Sequence, residues 1–139
     1  MKRFTALALV ATLAGGSAMA QDAMSTDNLI RSRDITGGDV YTTNTDMDDT
    51  SWDSMDVGTM DDGWNDIGEI EDLVLDQNGQ MVGVVAEIGG FLDIGDKHVM
   101  IEMNDIKLAP VDDRSYALVV RQTEEQLEQL PSVDESFLD

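Results

Sequence analysis

From residue 39 onward, short apolar segments alternate with clusters of turn-forming residues, and the spacing is that of strands rather than helices. Asp39-Val40-Tyr41-Thr42-Thr43, introduced by Gly37-Gly38, predicts a first strand. Ile67 to Asp76 predicts a second. Its alternation breaks where Leu73, Val74 and Leu75 stand together, which requires either a bulge or a strand buried on both faces. Asp76-Gln77-Asn78-Gly79 turns the chain, because Asn-Gly suits the positive φ values of tight hairpins. Met81 to Ile88 returns as a third strand with Val82, Val84, Ala86 and Ile88 on one face. In a fourth, Val99, Ile101 and Met103 alternate with His98, Met100 and Glu102. Ile106-Lys107-Leu108 and Tyr116 to Val120 add two more, separated by Pro110 and the turn Asp112-Asp113-Arg114. Short strands with little helix between them predict an all-β barrel or sandwich.

One helix closes the pattern. Thr123 is placed to cap Glu124 to Leu130, Gln126 completes a capping box, and Glu124 and Glu125 suit the positive end of the helix dipole. Leu127 and Leu130 share a face that should cover one open end or side of the strands, and Pro131 stops the helix.

Three stretches resemble the PRC-barrel family: Ile67-Gly68-Glu69-Ile70-Glu71-Asp72-Leu73-Val74-Leu75-Asp76 with Asn78-Gly79, the glycine-punctuated Gly89 to Val99, and Thr-x-x-Gln-Leu-x-x-Leu-Pro at 123–131. The resemblance covers roughly residues 66 to 131. It implies a small PRC-type β-barrel of about six strands with a short C-terminal helix. The family takes its name from the H subunit of the photosynthetic reaction centre, whose barrel packs on other proteins and influences proton movement. Carboxylates such as Glu69, Glu71 and Asp72 have the chemistry of a proton relay, but the membrane helix of that subunit has no counterpart here and the role is not carried over. A ribosome-maturation factor shares the fold as well, and fold alone does not transfer function.

The N-terminus reads as an export leader. Lys2 and Arg3 precede a mostly apolar run from Phe4 to Ala14, Gly15-Gly16-Ser17 breaks it, and Ala18-Met19-Ala20 offers the small residues a signal peptidase requires. That run falls short of the about 20 apolar residues needed to span a bilayer. With no cysteine in the sequence, lipid attachment at an N-terminal Cys and disulfides are excluded. The expectation is a periplasmic or secreted protein without a membrane anchor. The chain divides into a leader at 1–20, a lead-in at 21–38, a barrel domain at 39–131 with an insertion at 44–65, and a tail at 132–139.

Charge narrows the partners. Loss of Lys2 and Arg3 with the leader leaves six basic residues against twenty-nine acidic ones, a formal charge of −23. Nucleic acid is excluded, since binding it requires Lys and Arg to displace counterions, and an anionic bilayer would repel the protein. The charge is concentrated: from Asp34 to Asp96 there are seventeen carboxylates and no Lys, Arg or His.

Within that stretch, Asn44 to Asn65 lacks helical periodicity and is rich in Asp, Ser, Thr and Gly, so it predicts a long loop inserted between the first two strands. Asp46, Asp48, Asp49, Asp53, Asp56, Asp61 and Asp62 alternate loosely with Met47, Trp52, Met55, Val57, Met60 and Trp64. Two uses suit this composition. Trp52, Met55, Met60 and Trp64 could contact an envelope protein with a basic or mixed surface, or the tryptophans could fold back as a lid on the barrel. The acids could simply keep the protein soluble, or Asp46, Asp48 and Asp49, or Asp61, Asp62 and Asp66, could offer calcium its preferred oxygen ligands at low affinity. Neither set has the glycine and terminal glutamate of the twelve-residue helix-loop-helix calcium site.

Catalysis has little to work with. His98, the single histidine, rules out two-histidine metal sites and reads as a solvent-facing strand residue beside Lys97. No Gly-x-Ser-x-Gly, Walker or dinucleotide motif is present, and the glycines at 89, 90 and 95 lead into a strand rather than a phosphate-binding helix. The sequence therefore predicts an exported, non-catalytic interaction module with no resident cofactor, the alternative being a calcium binder.

Overall fold

A computed structural model describes residues 25–89 and 96–139. Six strands form one sheet: β1 (Asp39–Thr42), β2 (Asn65–Leu75), β3 (Met81–Ile88), β4 (Lys97–Glu102), β5 (Ile106–Pro110) and β6 (Tyr116–Val120), in the order β4-β3-β2-β1-β6-β5. All neighbours are antiparallel except β1 and β6.

The sheet is curled into a barrel-like shape, and its connectivity requires this. In a flat sheet the outermost strands, β4 and β5, would lie about 24 Å apart at the usual strand spacing. They are consecutive in sequence, joined only by the 3-10 turn Met103–Asp105, and the four steps from Glu102 to Ile106 reach at most roughly 14 Å. Curling also brings all six strands onto one core. Val40, Ile67, Ile70, Val84, Ala86, Ile88, Val99, Ile101, Ile106, Leu118 and Val120 are buried together, with Leu73 and Leu108 packed against them.

Three local features set which face each strand presents. In β2, Ile70 pairs with Ala86 and Asp72 with Val85, so Glu71 is an extra residue at a bulge. Ile70 and Leu73 both reach the core although they are three apart. The broken alternation expected in β2 is thus a bulge, but at Glu71, while Leu75 lies exposed. A second bulge lies at Ile67–Gly68 opposite Val40 and Tyr41, where Gly68 adopts φ 151° against the β3 backbone at Glu87. Near the turn, Val74 pairs with Gly83 and Leu75 with Met81, which leaves Val82 without a partner. Val82 is therefore exposed, not in line with Val84, Ala86 and Ile88 as its spacing predicts. Met103 likewise departs from the fourth strand's inward row, because the chain has already turned toward β5 and leaves it exposed.

The closing helix α2 (Glu124–Gln129) has the expected capping box: Thr123 Oγ1 accepts from Gln126 N, and Gln126 Oε1 accepts from Thr123 N at 3.0 Å. Leu127 is fully buried in the core and Leu130 packs beside it. Lys97 Nζ donates to the carbonyls of Glu128 and Leu130, the electronegative end of this helix. The tail then runs beside β4: Val99 bridges to Ser132, and Val133 N donates to His98 O at 2.8 Å. The lead-in is also bound to the barrel. Ile35 joins the core, and Gly37 N and Gly38 O pair with the carbonyl and amide of Ile70.

Of the predicted glycine-punctuated stretch Gly89 to Val99, residues 90–95 lie outside the described residues, as does the predicted leader at residues 1–20. Among the described residues no helix is long and apolar enough to cross a membrane.

Candidate functional site

The insertion is folded. Asn44, at φ 53°, turns the chain out of β1, and Asn65 brings it back as the first residue of β2, directly across from Thr42. Both ends meet the start of α2: Asn44 Oδ1 accepts from Glu124 N, and Asn65 Nδ2 donates to Glu124 Oε1, each at 3.0 Å. Between them, residues expected to form a loop include a short helix, α1 (Asp49–Ser54), started by Asp48, whose Oδ1 accepts from Ser51 N at 2.7 Å. This correction has a local cause. Six residues are too few for a hydrophobic period to show, and the cap is a single Asp in a run of Asp.

The insertion covers the outer face of β5 and β6. Strand alternation places Ala109 and Val119 outward, opposite Leu118 and Val120, and both are fully buried beneath Trp52. Met47, Met55, Val57, Met60 and Trp64 surround this second, smaller core. Trp52 is 3% exposed and its Nε1 donates to Asn104 O at 2.9 Å, so it serves as the lid's packing centre and is not available as a surface contact. Met55, Met60 and Trp64 are half-buried around it.

Two cations from the barrel hold the lid. Lys107 Nζ donates to the carbonyls of Trp52 at 2.6 Å and Met55 at 2.7 Å, at the C-terminal end of α1. Arg121 donates from Nε and Nη2 to Met47 O, and from Nη1 to Asp49 Oδ1 at 2.7 Å. Neither cation belongs to the long acidic stretch, which supplies the acceptors of these bonds.

The lid aspartates face solvent, and most have a local structural role. Asp48 caps α1, and the Ser51 amide holds its carboxyl below the usual carboxylate range. Asp49 pairs with Arg121. Asp46 accepts weakly from Gln126, at 3.5 Å. Asp61 and Asp66 accept from the amides of Gly63 and Gly68, while Asp62 is exposed. Neither predicted calcium set converges. Among the described residues, the one group of three or more potential ligands close enough to share an ion is Glu71, Glu87 and His98. Sequence reading missed this group because its members lie on three strands, and only the parity break in β2 hinted that Glu71 would change faces.

Such a structure, a small curled β-sheet plugged by a short helix and overlaid by an acidic lid, is that of a β-barrel module. The PRC-barrel domain model matches residues 27–127, most of the chain, and the protein belongs to that family. The match reaches upstream of β1, consistent with the packing of Ile35. No curated protein matches the chain.

Proposed function

We propose that this protein is an exported, non-catalytic binding module that presents a fixed acidic surface to a basic or mixed patch on another cell-envelope protein. The observation that carries this reading is the two-sidedness of the lid. Its apolar side chains pack over Ala109 and Val119, Trp52 completely and Met55, Met60 and Trp64 in part, while Asp46, Asp48, Asp49, Asp53, Asp56, Asp61 and Asp62 all remain exposed. Charges held on a packed platform lose less conformational freedom on docking than charges on a flexible tail. A high density of one sign steers an oppositely charged partner. Half-buried Met55, Met60 and Trp64 offer adaptable apolar contact between the acids. Export rests on the leader pattern of residues 1–20. The non-catalytic reading rests on the single imidazole, which lies on a sheet face paired with Glu87.

Crosslinking in living cells, followed by affinity purification of the tagged protein, tests the proposal against a variant carrying Asp53→Asn, Asp56→Asn, Asp61→Asn and Asp62→Asn. Asparagine keeps the acceptor oxygens that Gly58 and Gly63 use, so the lid stays folded while losing four charges. A partner captured by the wild type and lost in the variant supports the module. Equal capture by both, or no reproducible partner, overturns it.

A further inference from the structure

We propose that Glu71, Glu87 and His98 form a binding site for one divalent transition-metal ion of the zinc class. The three residues come from β2, β3 and β4 and lie on the side of the sheet away from the core. His98 and Glu87 are direct cross-strand partners, with Nε2 and Oε2 3.3 Å apart. The bulge places Glu71 next to them, so that one ligand atom from each residue lies within 4.8 Å of the other two.

The geometry fits such an ion. At metal–ligand distances near 2.0–2.1 Å, two ligands of a tetrahedral ion stand about 3.3–3.4 Å apart, which is the His98–Glu87 separation. Glu71 is exposed and completes the third position by a side-chain adjustment, leaving the solvent side for water. Chemistry agrees with geometry. An imidazole in the set favours zinc-class ions over calcium or magnesium, which take oxygen ligands.

Electrostatics gives the arrangement a purpose. Like charges brought together on one sheet face are destabilising unless something offsets them. Among the described residues, neither Glu71 nor Glu87 has a Lys or Arg partner. The nearest lysine in sequence, Lys97, instead donates to the carbonyls at the end of α2. A dication would neutralise both carboxylates at once. The site cannot relax by changing register, because Ile70, Leu73, Ala86, Ile88, Val99 and Ile101 fix the opposite faces of the same strands in the core.

The test is calorimetric titration of Zn²⁺ into the chain from Gln21 onward, which contains every described residue, with Co²⁺ absorption as a report on imidazole ligation. Because many carboxylates bind cations weakly, the four-Asp lid variant serves as the background control. One saturable equivalent is expected, unchanged in the lid variant and not displaced by excess Ca²⁺. His98→Asn should abolish it, and Glu71→Gln should weaken it by more than the roughly 10–100-fold that outer-sphere partners contribute. Both substitutions lie on the strands' outer face, and circular dichroism verifies that the fold persists. The proposal is overturned if no saturable site is found, or if His98→Asn binds Zn²⁺ as the wild type does.

Discussion

Lys107 Nζ sits 5.0 Å from the centroid of the Trp52 ring while donating to the carbonyl of that same residue at 2.6 Å. One side chain of β5 thus holds the lid's helix by its electronegative end and its central aromatic by its π face. Truncating either partner should loosen the lid before the barrel. Trp52→Ala is expected to cost about 3–5 kcal/mol of the lid's packing. Lys107→Met should cost about 1–3 kcal/mol by removing charged hydrogen bonds. Limited proteolysis checks both: cleavage should begin between Asn44 and Gly63 in each variant, whereas the wild-type segment resists.

Deleting Asn44 to Gly63 is a stronger version of the same perturbation. Ala109 and Val119, fully buried beneath the lid, would become exposed, so chemical denaturation should show a clear fall in stability. A deletion variant as stable as the wild type would show that the second core contributes nothing to the barrel.

At Gly68, φ 151° and the closeness of the Glu87 carbonyl leave no room for a Cβ. Gly68→Ala should therefore destabilise by at least about 1–3 kcal/mol, measured as a lower urea midpoint with unchanged slope. Gly79, in the β2–β3 turn at φ 82°, has nothing within 4 Å of an added Cβ, so alanine there meets conformational strain without a clash and should cost less.

Thr123→Ala removes the acceptor for Gln126 N and should cost about 0.5–2 kcal/mol. Because Leu127 plugs the core from the same helix, the loss should appear in global unfolding rather than as local fraying.

Asp76 couples the β2–β3 turn to pH. Its carboxylate accepts from Gln80 N at 3.0 Å and Asn78 N at 2.8 Å, and these bonds, that from Gln80 first, hold its pKa below the usual carboxylate value. A depressed folded-state pKa contributes stability that is complete above the unfolded value, about 3.9, and disappears as pH falls through the folded value. The melting-temperature gap between wild type and Asp76→Ala should thus be constant above about pH 5 and shrink below pH 4. A gap independent of pH would assign the turn's stability to backbone conformation alone.

Much of the barrel was legible because its signals are local. Met81 to Ile88 and Tyr116 to Val120 begin and end as their apolar runs do, and Thr123 and Gln126 form the capping box their spacing predicts. Features created by pairing were harder to read. The bulge at Glu71 exists only relative to Ala86 and Val85, and the exposure of Val82 follows from the shifted register between Leu75 and Met81. Trp52 could be placed among aspartates but not beneath them, since its burial depends on Ala109 and Val119, more than fifty residues away. His98 looked isolated for the same reason. Its neighbours Glu71 and Glu87 are brought to it by the sheet.

Thr42 and Asn65 face each other as one rung of an antiparallel pair, and the whole lid leaves and re-enters the barrel between them. A tight hairpin would join the same two strands without altering any other pairing. The lid is therefore topologically interchangeable: segments of different length or charge could be exchanged at this one rung while the barrel's strand order stays the same, and loop closure would add little for each added residue. Its exposed surface can diversify independently of its fold, with Lys107 and Arg121 as the fittings that any replacement would have to engage or leave idle.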